Sequence, residues 1–353
     1  MIRTLQSVDL RTLTRFDAVI DVRSPGEFAE DRLPGAVNLP VLDDAERAEV
    51  GTIYVQQSRH LARRIGAAHV ARNIARHLET ALAERPAGFA PLVYCWRGGQ
   101  RSGAMATVLA QVGWPVTVLD GGYRTWRRQV SARLYEEGLP LRIVLLDGGT
   151  GTAKTELLGR LAERGVQTLD LEHLAEHRGS LLGGLGRVQP SQKLFESRLL
   201  AALDALDPAR PVLVEAESSK IGDRQIPPVL WRAMAAAPRI EVSAPRPARA
   251  AYLVRAYAEI IADRERLDAA LARVSDRAGR KTLAVWRALA AEGAFEALAG
   301  ALMEGHYDPA YARAARADAR PLLGRVRLAT LDPPEQDAAA DRIAGLIETS
   351  PEI

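Results

Sequence analysis

Short apolar runs alternate with helical patterns along the first part of the chain. Runs rich in β-branched residues, each followed by a turn, predict buried parallel strands. These runs are residues 18–23, 36–40, 91–94 and 116–119. Residues 61–82 place Val70 and Ile74 on one helical face, with Gly66 as a candidate break, and residues 102–112 predict a further helix. This order predicts an α/β domain with a mostly parallel sheet.

A second series of strands and helices begins after the polar stretch 129–140. It opens with a strand at 142–146, a Gly-rich turn at 148–154 and a helix at 155–164, and continues with strands at 166–170 and 211–215. From 248 to 302 the chain has Ala, Leu and Arg at helical spacing and no strand candidate. We therefore expect a second parallel α/β domain that is closed by packed helices.

The length of 353 residues suits two domains of ordinary size. We predict a first domain at 1–130, a linker at 131–140 and a second domain at 141–353. Hydrophobic (47%) and charged (26%) fractions are those of soluble globular chains, and no apolar run approaches the roughly 18 residues that span a bilayer. The start of the chain has no continuous apolar signal core. We predict a cytoplasmic protein with no membrane partner.

The net charge of +3 is too small to indicate a nucleic-acid partner by itself. A local arginine surface could still bind a phosphate backbone, and a solvated helix face is the alternative. The arginines in question are Arg63, Arg64, Arg72, Arg76, Arg124, Arg127 and Arg128.

Cys95 is the only cysteine, so the chain has no internal disulfide. Any thiol chemistry of the chain must be carried out by Cys95. It directly follows a predicted strand and precedes a Gly-containing turn that opens into a helix. The turn consists of Trp96, Arg97, Gly98, Gly99, Gln100 and Arg101. Backbone N–H groups, the helix dipole and the two arginines favour a bound anion and a thiolate with a lowered pKa. The alternative is a small apolar residue at a strand end.

Four sequence blocks carry a resemblance in the first part of the chain. They are Asp21–Phe28, Leu33–Pro40, the Cys95 loop and Leu119–Tyr123. Together they resemble rhodanese, a sulfurtransferase that carries sulfur on its cysteine. Five residues separate Cys95 from Arg101, one more than in the short rhodanese loop, which predicts a wider anion cradle. Cysteine-dependent phosphatases share this spacing, although Tyr94 stands where they usually have histidine.

A second site is predicted at the Gly-rich turn after the strand at 142–146. Its residues are Gly148, Gly149, Thr150, Gly151, Thr152, Ala153, Lys154 and Thr155. The turn resembles a Walker A loop, in which amides hold phosphates, the lysine reaches their outer oxygens and the hydroxyl meets Mg²⁺. Ala153 stands at the motif's second glycine, where a positive φ costs about 1–2 kcal/mol. We predict diphosphate binding; a Gly-rich connection is the alternative.

Two weaker patterns involve charged side chains. His173, Glu176 and His177 match the His-x-x-Glu-His zinc pattern, but an exposed charged helix face explains them equally, so we predict no dedicated metal site. Glu215 and Glu217 follow a predicted strand and are candidates for a Mg²⁺ shell, as strand-end acids are in phosphate-loop proteins. A polar strand end is the alternative.

With both sites in one sequence, the chain resembles the tRNA 2-selenouridine synthase family over nearly its whole length. Further blocks support this: Tyr54–Gln57, Asp170–Ser180, Glu215–Ser218 and His306–Tyr311. The resemblance implies a rhodanese-like domain followed by an α/β domain similar to P-loop NTPases, with a helical C-terminal part. It implies replacement of sulfur by selenium in the 2-thiouridine of the tRNA wobble position, with selenophosphate as donor. A geranylated thiouridine, made from geranyl diphosphate, is the implied intermediate.

The candidate residues fit such a reaction. Cys95 would receive or relay selenium, with Arg97, Arg101 and the Gly98 and Gly99 amides on the phosphate oxygens. The lysine and threonine of the second loop would hold the diphosphate of geranyl diphosphate. The expected partners are tRNA, selenophosphate and geranyl diphosphate, with no tightly bound cofactor and Mg²⁺ as a candidate.

Two other classes of function stay open on the sequence alone. One is a thiosulfate sulfurtransferase or cysteine-dependent phosphatase with a nucleotide-binding regulatory domain. The other is a non-enzymatic phosphate-loop regulator in which the rhodanese-like part only binds partners.

Overall fold

A computed structural model describes residues 2–178, 188–275 and 279–350. The chain divides into two compact units, which we call unit 1 and unit 2. Unit 1 is Met1–Glu137 with Pro190–Ala205, and unit 2 is Gly138–Gln189 with Leu206–Ile353. The segment Pro190–Ala205 therefore groups with unit 1, although it lies inside the range 141–353 that the sequence assigns to the second domain.

A five-stranded sheet forms the centre of unit 1. Its strands are β1 (Ile2–Leu5), β2 (Ala18–Asp21), β3 (Ala36–Asn38), β4 (Pro91–Tyr94) and β5 (Val116–Leu119). They lie in the order β1-β5-β4-β2-β3, and all neighbours are parallel. The sequence predicts β2 to β5. It misses β1, because this edge strand has mostly exposed side chains and so lacks a buried apolar run.

Helices connect and cover these strands. They are α1 (Leu10–Leu13), α2 (Pro25–Glu30), α3 (Asp44–Gln56), α4 (Arg59–Glu79), α5 (Gln100–Val112) and α6 (Tyr123–Ser131). A π-helical turn, Ala132–Glu136, follows α6 and occupies half of the predicted linker. Gly66 does not break α4, contrary to expectation. It lies where α4 meets α3, and a Cβ there would come within 3.4 Å of Val50.

Unit 2 contains a second parallel sheet. The strands of unit 2 are β6 (Ile143–Asp147), β7 (Gln167–Leu169), β8 (Val212–Glu215), β9 (Lys220–Ile221), β10 (Arg224–Gln225), β11 (Arg239–Ser243) and β12 (Leu322–Arg327). The sheet order is β12-β11-β6-β8-β7, with all neighbours parallel, and β9 and β10 form a separate antiparallel pair. The sequence predicts β6, β7 and β8 but misses β11 and β12, which border Ala- and Arg-rich helical segments.

Helices account for most of the rest of the chain. They are α7 (Lys154–Glu163), α8 (Leu171–Leu174), α9 (Gln192–Asp204), α10 (Pro228–Ala236), α11 (Arg246–Ala256), α12 (Ala258–Ile261), α13 (Arg264–Ser275), α14 (Arg280–Ala291), α15 (Phe295–Leu302), α16 (Asp308–Ala317) and α17 (Pro333–Thr349). The packed helices predicted for 248–302 are confirmed as α11 to α15. No helix in the described part of the chain is long and apolar enough to cross a membrane.

Each sheet is buried in its own apolar core. Ile20, Val93 and Met105 belong to the core of unit 1, while Leu146 and Leu213 belong to that of unit 2. In parallel sheets, ligand sites form outside the carboxyl ends of the strands. Both Gly-containing loops predicted from the sequence leave such ends, one after β4 and the other after β6.

Candidate functional site

Cys95 lies at the end of β4, where the loop before α5 encloses its sulfur. The side chain is 3% exposed, and its Sγ lies 3.2 Å from the Ser102 Oγ. The sulfur borders a pocket of about 560 Å³. The lining of this pocket, which we call the Cys95 pocket, is Glu27, Glu30, Arg47, Cys95, Trp96, Arg97, Gly99, Gln100 and Arg101. The predicted anion loop therefore surrounds the thiol.

The pKa of Cys95 is lowered from its ordinary value. Burial of the thiol opposes this shift, but the Ser102 hydroxyl and the backbone N–H groups of Ser102 and Arg97 outweigh burial, and the charge of Arg101 adds to them. Arg97 contributes to this shift through its backbone amide. The sequence predicts the direction of the shift and misses Ser102 as its strongest favourable cause.

Arg101 is fixed by an acidic partner. Its guanidinium donates to both carboxylate oxygens of Glu27, at 2.7 and 3.3 Å, and Glu27 also pairs with Arg47 at 3.1 Å. These arginines lower the pKa of Glu27 against the opposing effect of burial. Arg101 is therefore oriented by Glu27 of the Asp21–Phe28 block and presents only part of its charge to the pocket.

The turn after β5 explains the two glycines of the Leu119–Tyr123 block. Gly122 has a φ of 57°, and a Cβ there would lie 2.1 Å from the carbonyl oxygen of Cys95. The next amide, that of Tyr123, donates to the same oxygen at 2.8 Å. A side chain at Gly122 would displace the cysteine loop. This turn therefore helps to position Cys95 through its backbone carbonyl group.

The lowered pKa predicts how fast Cys95 is alkylated as the pH changes. Because the chain has one cysteine, iodoacetamide consumption reports this residue alone. We expect the rate to rise with a midpoint below that of a free cysteine peptide, since the thiolate reacts. Ser102→Ala should move the midpoint upward, because the strongest favourable hydrogen bond is lost. The same midpoint for protein and peptide would contradict the anion cradle.

The Gly-rich loop after β6 has the closed form of a phosphate-binding loop. Lys154 starts α7, and its Nζ donates to the carbonyl oxygen of Gly148 at 2.8 Å across the loop. Ala153 has a φ of 61°, so the strain expected for a non-glycine residue at this position is present. Most predicted loop residues line a pocket of about 470 Å³, here called the P-loop pocket. Gly149 faces Arg249 instead.

Arg249 of α11 supports this loop from the side. The arginine is 9% exposed, and its Nε donates to the carbonyl oxygen of Thr150 at 2.8 Å. Asp308 orients it by accepting a hydrogen bond of 2.6 Å from its Nη2. Asp308 lies in the His306–Tyr311 block, so this block lies next to the P-loop in the structure. Nothing in the sequence pattern distinguishes Arg249 from the other arginines of the helical region.

Three carboxylates converge beside Thr155. Glu172, Glu215 and Glu217 each offer an oxygen within 4.8 Å of the others. Thr155 Oγ1 lies 3.1 Å from Glu172 and 2.8 Å from Glu215. Burial and mutual repulsion raise the pKa of Glu172 to about 7 and that of Glu215 well above its usual range. These acids therefore hold protons more tightly than free glutamates, because burial and crowding disfavour their charged forms.

This cluster fits a divalent cation. Glu215 is 1% exposed, and its Oε2 has no hydrogen-bond partner among the described residues, so a buried acceptor is left for a ligand. Carboxylate and hydroxyl oxygens are the donors that Mg²⁺ prefers. Glu172 joins the two glutamates predicted from the sequence. It follows β7, and the parallel order β7-β8-β6 brings all three strand ends to one edge.

The histidine pattern does not form the helical zinc motif. α8 ends at Leu174, before the pattern is complete, and Glu176 has a φ of 50° outside the helix. His173 and His177 therefore do not lie one helical turn apart. Gly179 and Ser180, the end of the Asp170–Ser180 block, lie outside the described residues.

An apolar cavity adjoins the P-loop pocket. It lies among α11, α12, α13 and α15, and its lining is almost wholly hydrocarbon. Thr150, Leu253, Tyr257 and Tyr307 line both the cavity and the P-loop pocket. A ligand can therefore have its anionic end at the loop and an apolar group in the cavity. We call this space the α11–α15 cavity.

The fold and the two loops define a class of protein: a rhodanese-like α/β unit and a P-loop α/β unit in one chain. Residues 8–129 match the sequence model described as a rhodanese-like domain. Residues 141–327 match the one described as the tRNA 2-selenouridine synthase AAA domain.

Full-length relatives narrow this class to one family. A tRNA 2-selenouridine synthase from Chromohalobacter salexigens is 36% identical over 321 residues, which cover 83% of this chain and 86% of the relative. One from Cupriavidus necator is 34% identical over 344 residues, covering 87% of this chain and 90% of the relative. The chain belongs to the tRNA 2-selenouridine synthase family.

Proposed function

We propose that the protein converts 2-thiouridine at the tRNA wobble position into 2-selenouridine, with selenophosphate as the selenium donor and a geranylated thiouridine as the intermediate. The observation that carries this proposal is the P-loop pocket together with the α11–α15 cavity. A nucleotide base needs polar groups that bond its edges, and the cavity lining offers almost none. The cavity encloses about 60 Å³, which is room for part of a geranyl chain, so a diphosphate ester whose chain enters it suits the site better than ATP.

Geranyl transfer takes place at the P-loop in this proposal. The thiouridine sulfur bonds to the first carbon of the geranyl chain while the bond from that carbon to the diphosphate oxygen breaks. The N3 proton of the base is lost, and diphosphate leaves with the electron pair. Lys154, Thr155 and the loop amides stabilise the charge that develops on the leaving diphosphate. At this site the protein thus binds and orients geranyl diphosphate and neutralises the charge of the leaving diphosphate.

The oxidation state of selenium decides what Cys95 does. Selenium in selenophosphate is already selenide, so its transfer to Cys95 as a perselenide would leave phosphite rather than phosphate. This proposal replaces the selenium relay expected from the sequence: the thiolate attacks phosphorus, a sulfur–phosphorus bond forms, the phosphorus–selenium bond breaks, and hydrogen selenide anion is released. Water later hydrolyses the cysteine phosphate. The five-residue spacing between Cys95 and Arg101 suits a loop that encloses a whole phosphoryl group.

Selenide then enters the nucleoside. It bonds to C2 of the geranylated thiouridine, the carbon–sulfur bond breaks, and geranyl thiolate leaves and takes up a proton. The product rearranges its remaining proton to N3 and becomes 2-selenouridine. No external oxidant or reductant is required, because selenium and sulfur keep their oxidation states throughout.

Mg²⁺ would be held by Glu172, Glu215, Glu217 and the Thr155 hydroxyl. When bound, it would neutralise part of the charge on the diphosphate. The buried, unpartnered oxygen of Glu215 supports this assignment.

Reconstitution with purified components tests the proposal. Thiolated tRNA and geranyl diphosphate should yield S-geranyl-2-thiouridine, and adding selenophosphate should convert it into 2-selenouridine, as measured by mass spectrometry of the nucleosides. Excess ATP should not inhibit geranylation. Selenation without geranyl diphosphate, or sulfur transfer from thiosulfate with no action on tRNA, would contradict the proposal.

A further inference from the structure

A second concave surface of unit 1 adjoins the Cys95 pocket. It is a groove of about 950 Å³ bordered by α3, α4 and α5, and we call it the α3–α5 groove. Arg47, Gln100 and Arg101 line both the groove and the Cys95 pocket. The two spaces therefore border each other at the loop that surrounds the sulfur.

The floor of the groove is apolar although it is open. Val70 and Ile74 of α4 and Val108 of α5 line it, and the side chains of Tyr54 and Val55 at its edge are 45% and 83% exposed. Small residues at the other positions keep the space free. Exposed apolar surface of this extent, rimmed by polar groups, is typical of a binding site.

The rim carries positive charge. Arg47, Arg63 and Arg101 line the groove, and none of the described residues in its lining is acidic. Glu27 pairs with Arg47 and Arg101 from the side of the Cys95 pocket, while the Arg63 side chain is exposed. An apolar floor with an arginine rim suits a ligand that joins a hydrocarbon to a polyanion. A plain sulfur or selenium donor would need neither feature.

We propose that the α3–α5 groove binds the hydrocarbon chain of an S-prenylated nucleoside in RNA while its C2 carbon reacts beside Cys95. This inference rests on the proposed function, in which the prenyl group leaves as a thiol at that step. The α11–α15 cavity belongs to the prenyl diphosphate. Once the chain is attached to the nucleoside, the rhodanese-like unit needs an apolar surface of its own to recognise it, and the groove supplies one.

Gly51 offers a substitution that should occupy part of the groove without disturbing the fold. It lies on α3 and lines the groove, and a Cβ built on it meets no atom within 4 Å. Phenylalanine is also a better helix former than glycine, so Gly51→Phe should fold well. Thr52→Phe is the matched control, because Thr52 is exposed on the same helix and does not line the groove.

The assay compares S-geranyl- and S-methyl-2-thiouridine in the wobble position of the same tRNA, each with selenophosphate. We expect the wild type to favour the geranylated substrate in kcat/KM by about tenfold or more. Gly51→Phe should lose this preference and Thr52→Phe should keep it. Geranylation of thiolated tRNA from geranyl diphosphate should be equal in all three proteins.

The inference would be overturned by equal use of both substrates by the wild type, by a preference retained in Gly51→Phe, or by a parallel loss of both reactions in that variant. A dimer of the chain that Gly51→Phe dissociates would assign the groove to self-association instead. Failure of the wild type to act on any tRNA would refute the proposed function itself and is thereby distinguished from these results.

Discussion

Cys95→Ala should lose selenation by about 10³-fold or more and keep geranylation at the wild-type rate. The thiolate is the only nucleophile that the proposed phosphoryl step uses, and the chain has no second cysteine to replace it. Thiolated tRNA incubated with geranyl diphosphate and selenophosphate should therefore stop at S-geranyl-2-thiouridine, which mass spectrometry of nucleosides detects.

The covalent step has its own readout. Wild-type protein quenched during turnover should carry one phosphoryl group on Cys95, found by mass spectrometry of the intact chain and of its peptides. Cys95→Ala is the control, because it lacks the sulfur and should carry no phosphoryl group. Selenium rather than phosphorus on the cysteine would show that the thiolate attacks selenium. Full selenation by Cys95→Ala would exclude the residue from the chemistry.

The second large effect is expected at the other loop. Lys154→Ala should slow geranylation by about 10²-fold, because the amine is the only lysine at the P-loop pocket and stabilises the leaving diphosphate. The same variant should still convert chemically supplied S-geranyl-2-thiouridine in tRNA into 2-selenouridine. Cys95→Ala would thus fail at selenation and Lys154→Ala at geranylation.

Its control is Lys281→Ala, which removes an exposed lysine of α14. Lys154→Arg should recover part of the rate, since charge is kept while the bond to the Gly148 carbonyl changes length. Undiminished geranylation by Lys154→Ala would refute the assignment of the diphosphate to this loop. Loss of selenation from the chemically geranylated tRNA would show that the lysine acts in both steps.

Both loops could be placed from the sequence because each combines strong local signals. An apolar run, glycines and a helix start fall in an order that only a strand, turn and helix satisfy, and the Cys95 and Lys154 loops are found there. The strain at Ala153 follows from the same reading, because its neighbours fix the backbone conformation of the loop.

Residues contributed by distant elements could not be placed in this way. Arg249 reaches the P-loop from α11, and its partner Asp308 lies a further 59 residues along the chain. Glu172 could have been found, since parallel strands end at one edge and it lies at the start of α8, three residues after the end of β7. Glu27 could not, because its pairing with Arg101 depends on how α2 packs against the cysteine loop.

The discontinuous makeup of unit 1 has a consequence for its biogenesis. Trp126 donates to Ser197 at 2.9 Å, Tyr135 donates to Glu196 at 2.6 Å, and Arg127 pairs with the same glutamate. The partners of these side chains are thus translated some 60 to 70 residues later. While the ribosome is still making the segment in between, the nascent unit 1 lacks α9. Unit 1 can therefore complete its folding only after β6, the P-loop and β7 have been synthesised.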